Sequence, residues 1–380
     1  MNAASLPLLA PLTAILYVAP VLAVLAVVVC VHEFGHFIIA RWRGVSVKVF
    51  SFGMGRELIG FTDRRGTRWR ISVAPIGGYV RFLGDADPAS ATSGEAVAEL
   101  PPEERAKTLA GQPIWARAAI VAAGPIANFL FAILVFAGLA YFLGETIMQP
   151  RVEKILPGSP AEQAGFQKGD LIRSIDGAPI SNFAEVIRFV ALRPGEKLDF
   201  VVERDGREVT LAATPALTAV DMPTGKQRIG RIGLGASTDP KDLMTIYPNP
   251  LQAVWLGLEQ SGTLISLNAE YVWRLGAGRV TADQLSGPIG ITQASHAAAS
   301  AGLPALLGLA AMLSLSLGLM NLLPVPMLDG GHLLLYAVEA GRGRPLSRRA
   351  QEFSLKVGLS IVGALMLFVT LNDLRHLWSA

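Results

Sequence analysis

Two histidines and a glutamate are closely spaced in an apolar part of the chain, in the run His32-Glu33-Phe34-Gly35-His36. Positions four apart share one face of a helix, so the imidazoles of His32 and His36 can point at one metal ion. This spacing favours Zn²⁺, with Glu33 beside the histidines to take a proton from a water molecule at the metal. The motif therefore predicts hydrolysis assisted by one zinc ion.

The apolar surroundings of this motif strengthen the metal interpretation. No charged residue occurs in Leu6–Val31, the stretch that leads into the motif. An ionisable side chain in a membrane-spanning helix costs about 3 kcal/mol on insertion scales, and such residues are usually functional. The alternative is that His32, Glu33 and His36 simply end the helix in the interfacial zone, next to Arg41.

The composition indicates a membrane protein. Of the 380 residues, 51% are hydrophobic and only 17% are charged, which is few charges for a soluble protein. A helix of about 20 apolar residues crosses a bilayer. Four runs meet this requirement, at Leu6–Val31, Ala118–Leu143, Leu303–Leu323 and Leu355–Leu371. We therefore predict a polytopic α-helical protein with about four transmembrane helices.

The basic residues predict the orientation of these spans. They cluster in three places: Arg41, Arg43 and Lys48; Arg105, Lys107 and Arg117; and Arg342, Arg344, Arg348, Arg349 and Lys356. Loops rich in Lys and Arg lie on the cytoplasmic side, which places the histidine motif near the cytoplasmic face and the segment between the second and third spans outside. No basic patch with interleaved aromatic residues occurs, so the composition predicts no nucleic-acid partner. Cys30 is the only cysteine, which excludes an intrachain disulfide and a thiolate zinc cluster.

Three segments outside the apolar runs have distinct patterns. Lys48–Leu83 alternates in part and contains many glycines, which predicts short strands of a membrane-associated sheet next to the motif. Asp85–Gln112 is acidic and lacks aromatic residues, so we expect a flexible cytoplasmic loop. Pro250–Leu275 is moderately apolar and contains Trp255, which favours an amphipathic helix at the outer interface.

Arg151–Asp239 has the pattern of a soluble α+β domain. The predicted elements are a short helix after Ser159, a strand from Leu171 to the Asp176-Gly177 turn, a helix at Asn182–Leu192, and strands at Lys197–Arg204, Arg207–Ala213 and Arg231–Ala236. This pattern resembles one copy of a bacterial PDZ domain of the circularly permuted kind.

A catalytic zinc needs a third protein ligand, and the best candidate is Asp329. Pro324 and Pro326 disturb the third span just before it, and Gly330 and Gly331 would free the backbone beside its carboxylate. The charge rule places Asp329 at the cytoplasmic end of its span, which is also the depth of His32. A turn residue or helix cap is the alternative for Asp329. His332, three residues later, is either a further ligand, an outer donor or a helix-start residue.

Asn128 in the second span follows Gly124, which would let another helix approach closely. A buried amide in a membrane must find a partner, so Asn128 either hydrogen-bonds a substrate carbonyl or oxyanion, or serves helix packing.

The order of these motifs resembles that in the site-2 protease family, and in particular its bacterial regulator-of-sigma-E protease branch. The motifs are His32-Glu33-Phe34-Gly35-His36, Gly124-Pro125-Ile126-Ala127-Asn128, one PDZ-like insert, Ser286-Gly287-Pro288-Ile289-Gly290 and Asn321 to Leu328-Asp329-Gly330. The resemblance covers nearly the whole chain. One difference is the single PDZ-like segment, since members of this branch often have two.

The resemblance implies an intramembrane zinc metalloprotease of a bacterial inner membrane, with the PDZ-like domain in the periplasm. It assigns Glu33 as the general base, His32, His36 and Asp329 as ligands of one Zn²⁺ ion, and Asn321 and Pro324 to substrate handling. The expected substrates are transmembrane segments of single-span proteins, such as an anti-sigma factor or a remnant signal peptide. A peptide carboxyl terminus is a further possible partner, at the PDZ-like domain.

The predicted divisions follow from these assignments. They are 1–47 for the first span with its motif, 48–84 for the membrane-associated β region, 85–114 for the flexible loop, 115–145 for the second span, 146–240 for the PDZ-like domain, 241–300 for the interfacial helix and linker, 301–340 for the third span with Leu328-Asp329-Gly330, and 341–380 for the basic loop and fourth span.

Two other functions fit parts of the pattern. A catalytically silent membrane scaffold could display the PDZ-like module, although such a relative would tend to lose Glu33. A zinc transporter would need polar residues along several spans, whereas here they gather at one depth. The sequence does not identify the physiological substrate, any upstream protease, the oligomeric state or a gating motion.

Overall fold

The computed structural model describes residues 6–85, 100–191, 193–222, 225–237, 242–276, 287–344 and 347–379. The chain forms two compact units. One unit comprises Met1–Leu139 together with Pro250–Ala380, and the other comprises Ala140–Asn249.

The helices, in chain order, are α1 (Leu6–Trp42), α2 (Pro102–Arg105), α3 (Ile114–Leu143), α4 (Pro160–Gln163), α5 (Phe183–Ala191), α6 (Pro250–Gly276), α7 (Pro288–Ala301), α8 (Leu303–Asn321), α9 (Asp329–Arg342) and α10 (Arg348–Ser379). The strands are β1 (Val47–Thr62), β2 (Arg68–Phe82), β3 (Glu145–Met148), β4 (Val152–Ile155), β5 (Leu171–Ile175), β6 (Ala178–Pro179), β7 (Leu198–Arg204), β8 (Arg207–Ala213), β9 (Ala216–Met222), β10 (Gly225–Arg231), β11 (Leu234–Ala236) and β12 (Leu243–Ile246).

Four of the described helices are long and apolar enough to cross a membrane, as the sequence predicts. The segments that satisfy this criterion are Tyr17–Trp42, Ile114–Leu143, Leu303–Asn321 and Arg349–Leu374. The third span is shorter than the predicted division of residues 301–340, because α8 ends at Asn321 and α9 begins only at Asp329. The two prolines between these helices remove backbone donors, so one continuous helix cannot form.

Small residues bring three of the spans together. Val24 and Val28 of α1 are buried with Ala310 of α8. Ala132 of α3 is fully buried against Ala311 of the same α8. Because alanines allow helix backbones to approach closely, α1, α3 and α8 form the helical framework around the histidine motif.

The region after the first span is one long, folded hairpin. The register places Phe50 of β1 opposite both Val80 and Trp69 of β2, so a segment of β1 lies between two segments of β2. The segment Gly78–Phe82 therefore lies at an edge of this small sheet. Phe37 of α1 packs against Phe50 and Trp69 on it, with ring centroids 5.4 and 5.0 Å apart. The strands predicted within Lys48–Leu83 are thus present, and they lie directly against α1.

Part of the predicted flexible loop packs against the first span. Residues 86–99 lie outside the described residues, but 100–112 contain the one-turn helix α2. Leu109 is buried in the cluster that contains Phe37, and the Ser46 amide donates to the Lys107 carbonyl at 2.9 Å. The burial of Leu109 and this hydrogen bond attach the segment to the region around α1.

The helix predicted over Pro250–Leu275 is present as α6, and it packs against two of the spans, while its position at the outer interface stays a prediction. A carbon atom added at Gly257 would lie 2.6 Å from the Ile133 carbonyl oxygen of α3. Asn268 donates to Ser316 of α8 at 3.4 Å. The small residues Ala253 and Gly257 are four positions apart and therefore lie on the same face of α6, the face that packs against the spans.

The second unit is an α+β fold around one apolar core. Its main sheet has the strand order β6-β5-β7-β8. The helix predicted at Asn182–Leu192 is present as α5, and its Val186 and Val190 are buried in the core. Only the end of the strand predicted at Arg231–Ala236 forms as β11, paired with β4, because Gly233 turns the chain with a φ of +85°.

Candidate metal centre

The helix α1 places His32 and His36 one turn apart on its buried face. Their Nε2 atoms are 3.1 Å apart, and the side chains are only 9% and 13% exposed. The rings meet edge to face, with centroids 4.7 Å apart. The two ring nitrogens thus converge on one point, as the spacing of the motif predicts.

Asp329 reaches the same point from a segment that is distant in the sequence. Its Oδ2 lies 3.1 Å from His32 Nε2, and its Oδ1 lies 3.5 Å from His36 Nε2. Ligands of a tetrahedral zinc ion lie roughly 3.3 Å apart, given bonds of about 2.0–2.2 Å. The three separations therefore fit one Zn²⁺ ion at the centre of the group.

The donor chemistry of this group also fits zinc. Among the residues that the structure describes, one group of three or more metal-binding side chains has ligand atoms within 4.8 Å of one another, and it consists of His32, His36 and Asp329. Asp329 Oδ2 is buried and has no hydrogen-bond partner among the described residues. Its 3.1 Å contact with His32 Nε2 does not have the geometry of a hydrogen bond. A buried carboxylate oxygen without a donor is costly unless a cation compensates it.

The start of α9 aims Asp329 at the histidines. Met327, two residues earlier, has a φ of +85°, an uncommon conformation for a residue with a side chain. Gly330 and Gly331 lie in the first turn of α9. A Cβ atom at Gly330 would lie 2.2 Å from the Leu322 carbonyl oxygen, and one at Gly331 would lie 2.3 Å from that of Val325. These glycines therefore provide space for a tight chain crossing beside the Asp329 carboxylate.

The helix α3 closes the site behind the two imidazoles. His36 Nδ1 donates to the Ile120 carbonyl at 2.9 Å, which leaves its Nε2 free to bind a metal. A Cβ atom at Gly124 would lie 2.4 Å from His36 Nε2, so only glycine fits here. Asn128 is fully buried, and its side-chain amide lies 3.2 Å from His32 Nδ1. Asn128 therefore contacts His32 on the side away from Asp329, and its contact with a substrate carbonyl stays a prediction.

Glu33 is held by the edge of the β sheet. Its Oε2 accepts a hydrogen bond from the Val80 amide at 3.0 Å. The Val80 amide is available because Gly78–Phe82 is an edge segment, whose outward donors are not used by the sheet. The same side chain lies one residue from His32, so the carboxylate is placed beside the metal-binding group.

The other predicted site residues lie at different distances from the centre. Asn321 ends α8, and its Nδ2 is 3.4 Å from His32 Nε2, on the side that faces Asp329. Pro324 is exposed in the segment between α8 and α9. His332 lies on α9 outside the metal-binding group, which favours an outer position over ligation.

An ion pair that the sequence analysis missed fastens α9 to α3. Arg117 donates to Glu339 through two nitrogens, at 3.1 and 2.6 Å, and its guanidinium also lies over the Tyr336 ring. Both side chains of the pair are largely buried, at 16% and 13% exposure. The pair bridges 222 positions, so no local pattern reveals it.

A second charged contact anchors the far end of the hairpin to α1. Asp63 accepts hydrogen bonds from Trp69 Nε1 and from the Thr67 and Arg65 amides, and it pairs with Arg41 at 2.9 Å. Partial burial raises the pKa of Asp63, but these donors outweigh that effect and lower its pKa to about 2.

Comparison with known proteins agrees with this geometry. Residues 20–365 match the model of peptidase family M50. A protein of Agrobacterium fabrum with the provisional name zinc metalloprotease Atu1380 is 45% identical over 362 residues, which cover 95% of this chain and 96% of the relative. The metalloprotease MmpA of Caulobacter vibrioides is 38% identical, over 93% of this chain and 94% of its own length. These matches, over most of the length, favour a hydrolase above the scaffold and transporter alternatives. The chain therefore belongs to peptidase family M50, the site-2 protease family, and is a multi-pass membrane zinc metalloprotease.

Proposed function

We propose that this protease cleaves transmembrane segments of single-span membrane proteins, within the bilayer, in regulated intramembrane proteolysis. One observation carries the proposal: His32, His36 and Asp329 meet at a single point between helices that are apolar enough to cross a membrane. In this proposal the substrate helix reaches the site from within the same bilayer. The resemblance to the regulator-of-sigma-E branch favours an anti-sigma factor or a remnant signal peptide as substrate.

In this proposal His32, His36 and Asp329 hold the metal, and Glu33 is the general base. A bound zinc ion supplies Lewis acidity and brings the pKa of a water ligand to about 7. Glu33 takes the proton of the attacking water through the oxygen that Val80 leaves free and then passes it to the leaving amine. Asn321 Nδ2, 3.4 Å from His32 Nε2, is placed to donate to the oxygen of the scissile carbonyl.

The edge segment Gly78–Phe82 is the proposed docking place for the unwound substrate. A helical substrate uses its carbonyls in its own hydrogen bonds, so it must unfold locally before hydrolysis. An extended peptide can then add to an exposed sheet edge. The Val80 amide contacts Glu33, so a strand on this edge would run beside the general base. Pro324, exposed near Asp329, is a further candidate for contact with that strand.

The unit Ala140–Asn249 is the proposed PDZ-like domain, and we place it in the periplasm of a bacterial cell with the protease in the inner membrane. Support comes from the strand order β6-β5-β7-β8 and from β11, which pairs with β4 in a two-stranded sheet. The second edge of β11 is a place where a peptide carboxyl terminus could add as a strand. In the proposed function this unit restricts access by bulky substrates or binds a newly cut end.

The test uses the purified full-length protein, a single-span peptide and a measurement of bound zinc. We expect Glu33→Gln to retain about one zinc per chain and to lose cleavage by about 10²–10⁴-fold, the usual contribution of a general base. The matched control is Glu259→Gln, which changes an exposed glutamate on α6; this variant should cleave the peptide like the wild type. Equal cleavage by Glu33→Gln and the wild type would reject the assigned base.

A second measurement addresses the strand-docking step. Helix-weakening residues near the cut site of the peptide are replaced by alanine, which favours the helix. Slower cleavage of these peptides is expected, because the substrate then unwinds less readily. Unchanged rates across several substrates would reject docking of an unwound strand.

A further inference from the structure

We infer that Asn128 is a positioning residue that holds His32 in the one neutral tautomer that can bind zinc. The inference rests on the proposed ligands His32, His36 and Asp329, and it assigns a function to the second span beyond helix packing. Asn128 does not touch the substrate in this assignment, because it is fully buried behind the imidazole.

One end of the Asn128 side-chain amide has a hydrogen-bond partner, and the other end has none among the described residues. Its Nδ2 lies 3.2 Å from His32 Nδ1, while its Oδ1 is buried and has no hydrogen-bond partner among the described residues. The oxygen and nitrogen of an amide have nearly the same shape, so the reversed orientation occupies the same space. Either orientation leaves one end of the amide unpaired, so hydrogen bonding to the surrounding protein does not decide between them.

The chemistry of the imidazole decides between the two orientations. A neutral imidazole has one protonated nitrogen and one lone pair, and zinc binds the lone pair. His32 Nε2 is the atom that faces Asp329, at 3.1 Å, so Nδ1 must bear the proton when zinc is bound. Nδ1–H then needs an acceptor, and only the Oδ1 end of Asn128 can accept.

The neighbouring histidine shows the same arrangement with a backbone acceptor. His36 Nδ1 donates to the Ile120 carbonyl at 2.9 Å. Ile120, Gly124 and Asn128 are spaced by four residues on one face of α3. On this face the Ile120 carbonyl accepts from His36, Gly124 leaves room for both rings, and the Asn128 amide oxygen can accept from His32. The helix α3 thus sets the tautomer of both imidazoles. Outer partners of this kind typically change metal affinity by 10–100-fold.

A packing function of Asn128 can be separated from the positioning function. The Asn128 backbone carbonyl accepts a hydrogen bond from Ser314 of α8 at 3.1 Å, and any side chain at position 128 leaves this bond intact. Leucine branches at Cγ as asparagine does, but it is larger and has no acceptor. Aspartate retains the shape and always offers an acceptor to Nδ1–H.

The experiment measures the zinc dissociation constant of the full-length protein in detergent by chelator competition, with thermal unfolding of the zinc-free form alongside. Asn128→Leu should raise the dissociation constant by about 10–100-fold, and the unfolding of its zinc-free form measures the separate packing cost of the larger side chain. Asn128→Asp should bind zinc at least as tightly as the wild type. Ser314→Ala, which removes only the interhelical bond, is the control and should bind like the wild type.

Three outcomes would overturn the inference: wild-type zinc affinity in Asn128→Leu, weaker zinc binding in Asn128→Asp, or an equal loss in both variants. If Asn128→Leu does not fold, Asn128→Asp alone decides by the same criterion. Asp329→Ala distinguishes failure of this inference from failure of the proposed ligand set. Zinc binding that survives Asp329→Ala would reject the ligands, whereas loss in Asp329→Ala with no effect at Asn128 would reject only the positioning function.

Discussion

Replacing Gly124 by alanine should displace both histidines of the metal centre. The added Cβ would lie 2.4 Å from His36 Nε2 and 2.8 Å from His32 Cε1. Non-bonded carbon atoms pack at about 3.5–4.0 Å. The imidazoles or the α3 backbone must therefore move by about 1 Å, and the packed neighbours of α1 limit where the rings can go.

The expected magnitude follows from the tolerance of zinc sites. Ligand distances in such sites vary by about 0.2 Å, so a 1 Å displacement cannot be absorbed by the metal. We expect Gly124→Ala to weaken zinc binding by at least the 10–100-fold that loss of an outer partner produces. Overpacking should also destabilise the zinc-free protein by about 1–3 kcal/mol.

Gly138→Ala is the matched control for this variant. Gly138 lies on the same helix α3, and nothing lies within 4 Å of a Cβ atom added there. Both substitutions make the same change in helix propensity, about 1 kcal/mol in favour of alanine. Chelator competition should show wild-type zinc affinity for Gly138→Ala and weak binding for Gly124→Ala. Equal affinity in the two variants would refute the claim that Gly124 provides the space for the imidazoles.

Three further changes test other contacts. Removal of zinc by a chelator should lower the free energy of unfolding by about 2.7 kcal/mol relative to the protein with free zinc at 100 times its dissociation constant, and added zinc should restore it. An unfolding temperature that does not change with zinc concentration would count against a metal site formed by the native fold. Glu339→Ala should destabilise the protein by about 3–5 kcal/mol in denaturant unfolding, because Arg117 is then left buried and unpaired; a change below about 1 kcal/mol would show that the pair is not needed. The pKa of Asp63 is lowered to about 2, so its contribution is full above the unfolded value of about 3.9 and disappears as the pH falls towards 2. The difference in unfolding temperature between the wild type and Asp63→Asn should therefore shrink over that range, and a constant difference would contradict this assignment.

Local patterns predicted much of the fold. The four apolar runs became four helices long enough to cross a membrane, and the alternating segments after the first span became strands. The Asp205-Gly206 pair forms the tight turn between β7 and β8, with φ values of +50° and +77°. Each of these features depends on residues within a few positions, so the sequence contains the full signal.

Contacts between segments that are distant in the sequence have no local pattern that would predict them. Leu109 packs in the same apolar cluster as Phe37 of α1, and Gly257 of α6 lies against Ile133 of α3. The sequence of residues 286–290 indicates a motif but not its partner. Ser286 lies outside the described residues, while the Gly287, Ile289 and Gly290 amides all donate to Asp373, a partner more than 80 positions away.

The sequence by itself determined which residue types can perform chemistry and their spacing along one helix: two imidazoles and a carboxylate on α1, and a second carboxylate at Asp329. Only the tertiary structure decided what surrounds them. The Ile120 carbonyl is 84 positions from His36, and the Val80 amide is 47 positions from Glu33. Every residue has such backbone groups, so no residue type marks the two that are used; the packing of α3 and of the sheet edge against α1 selects them.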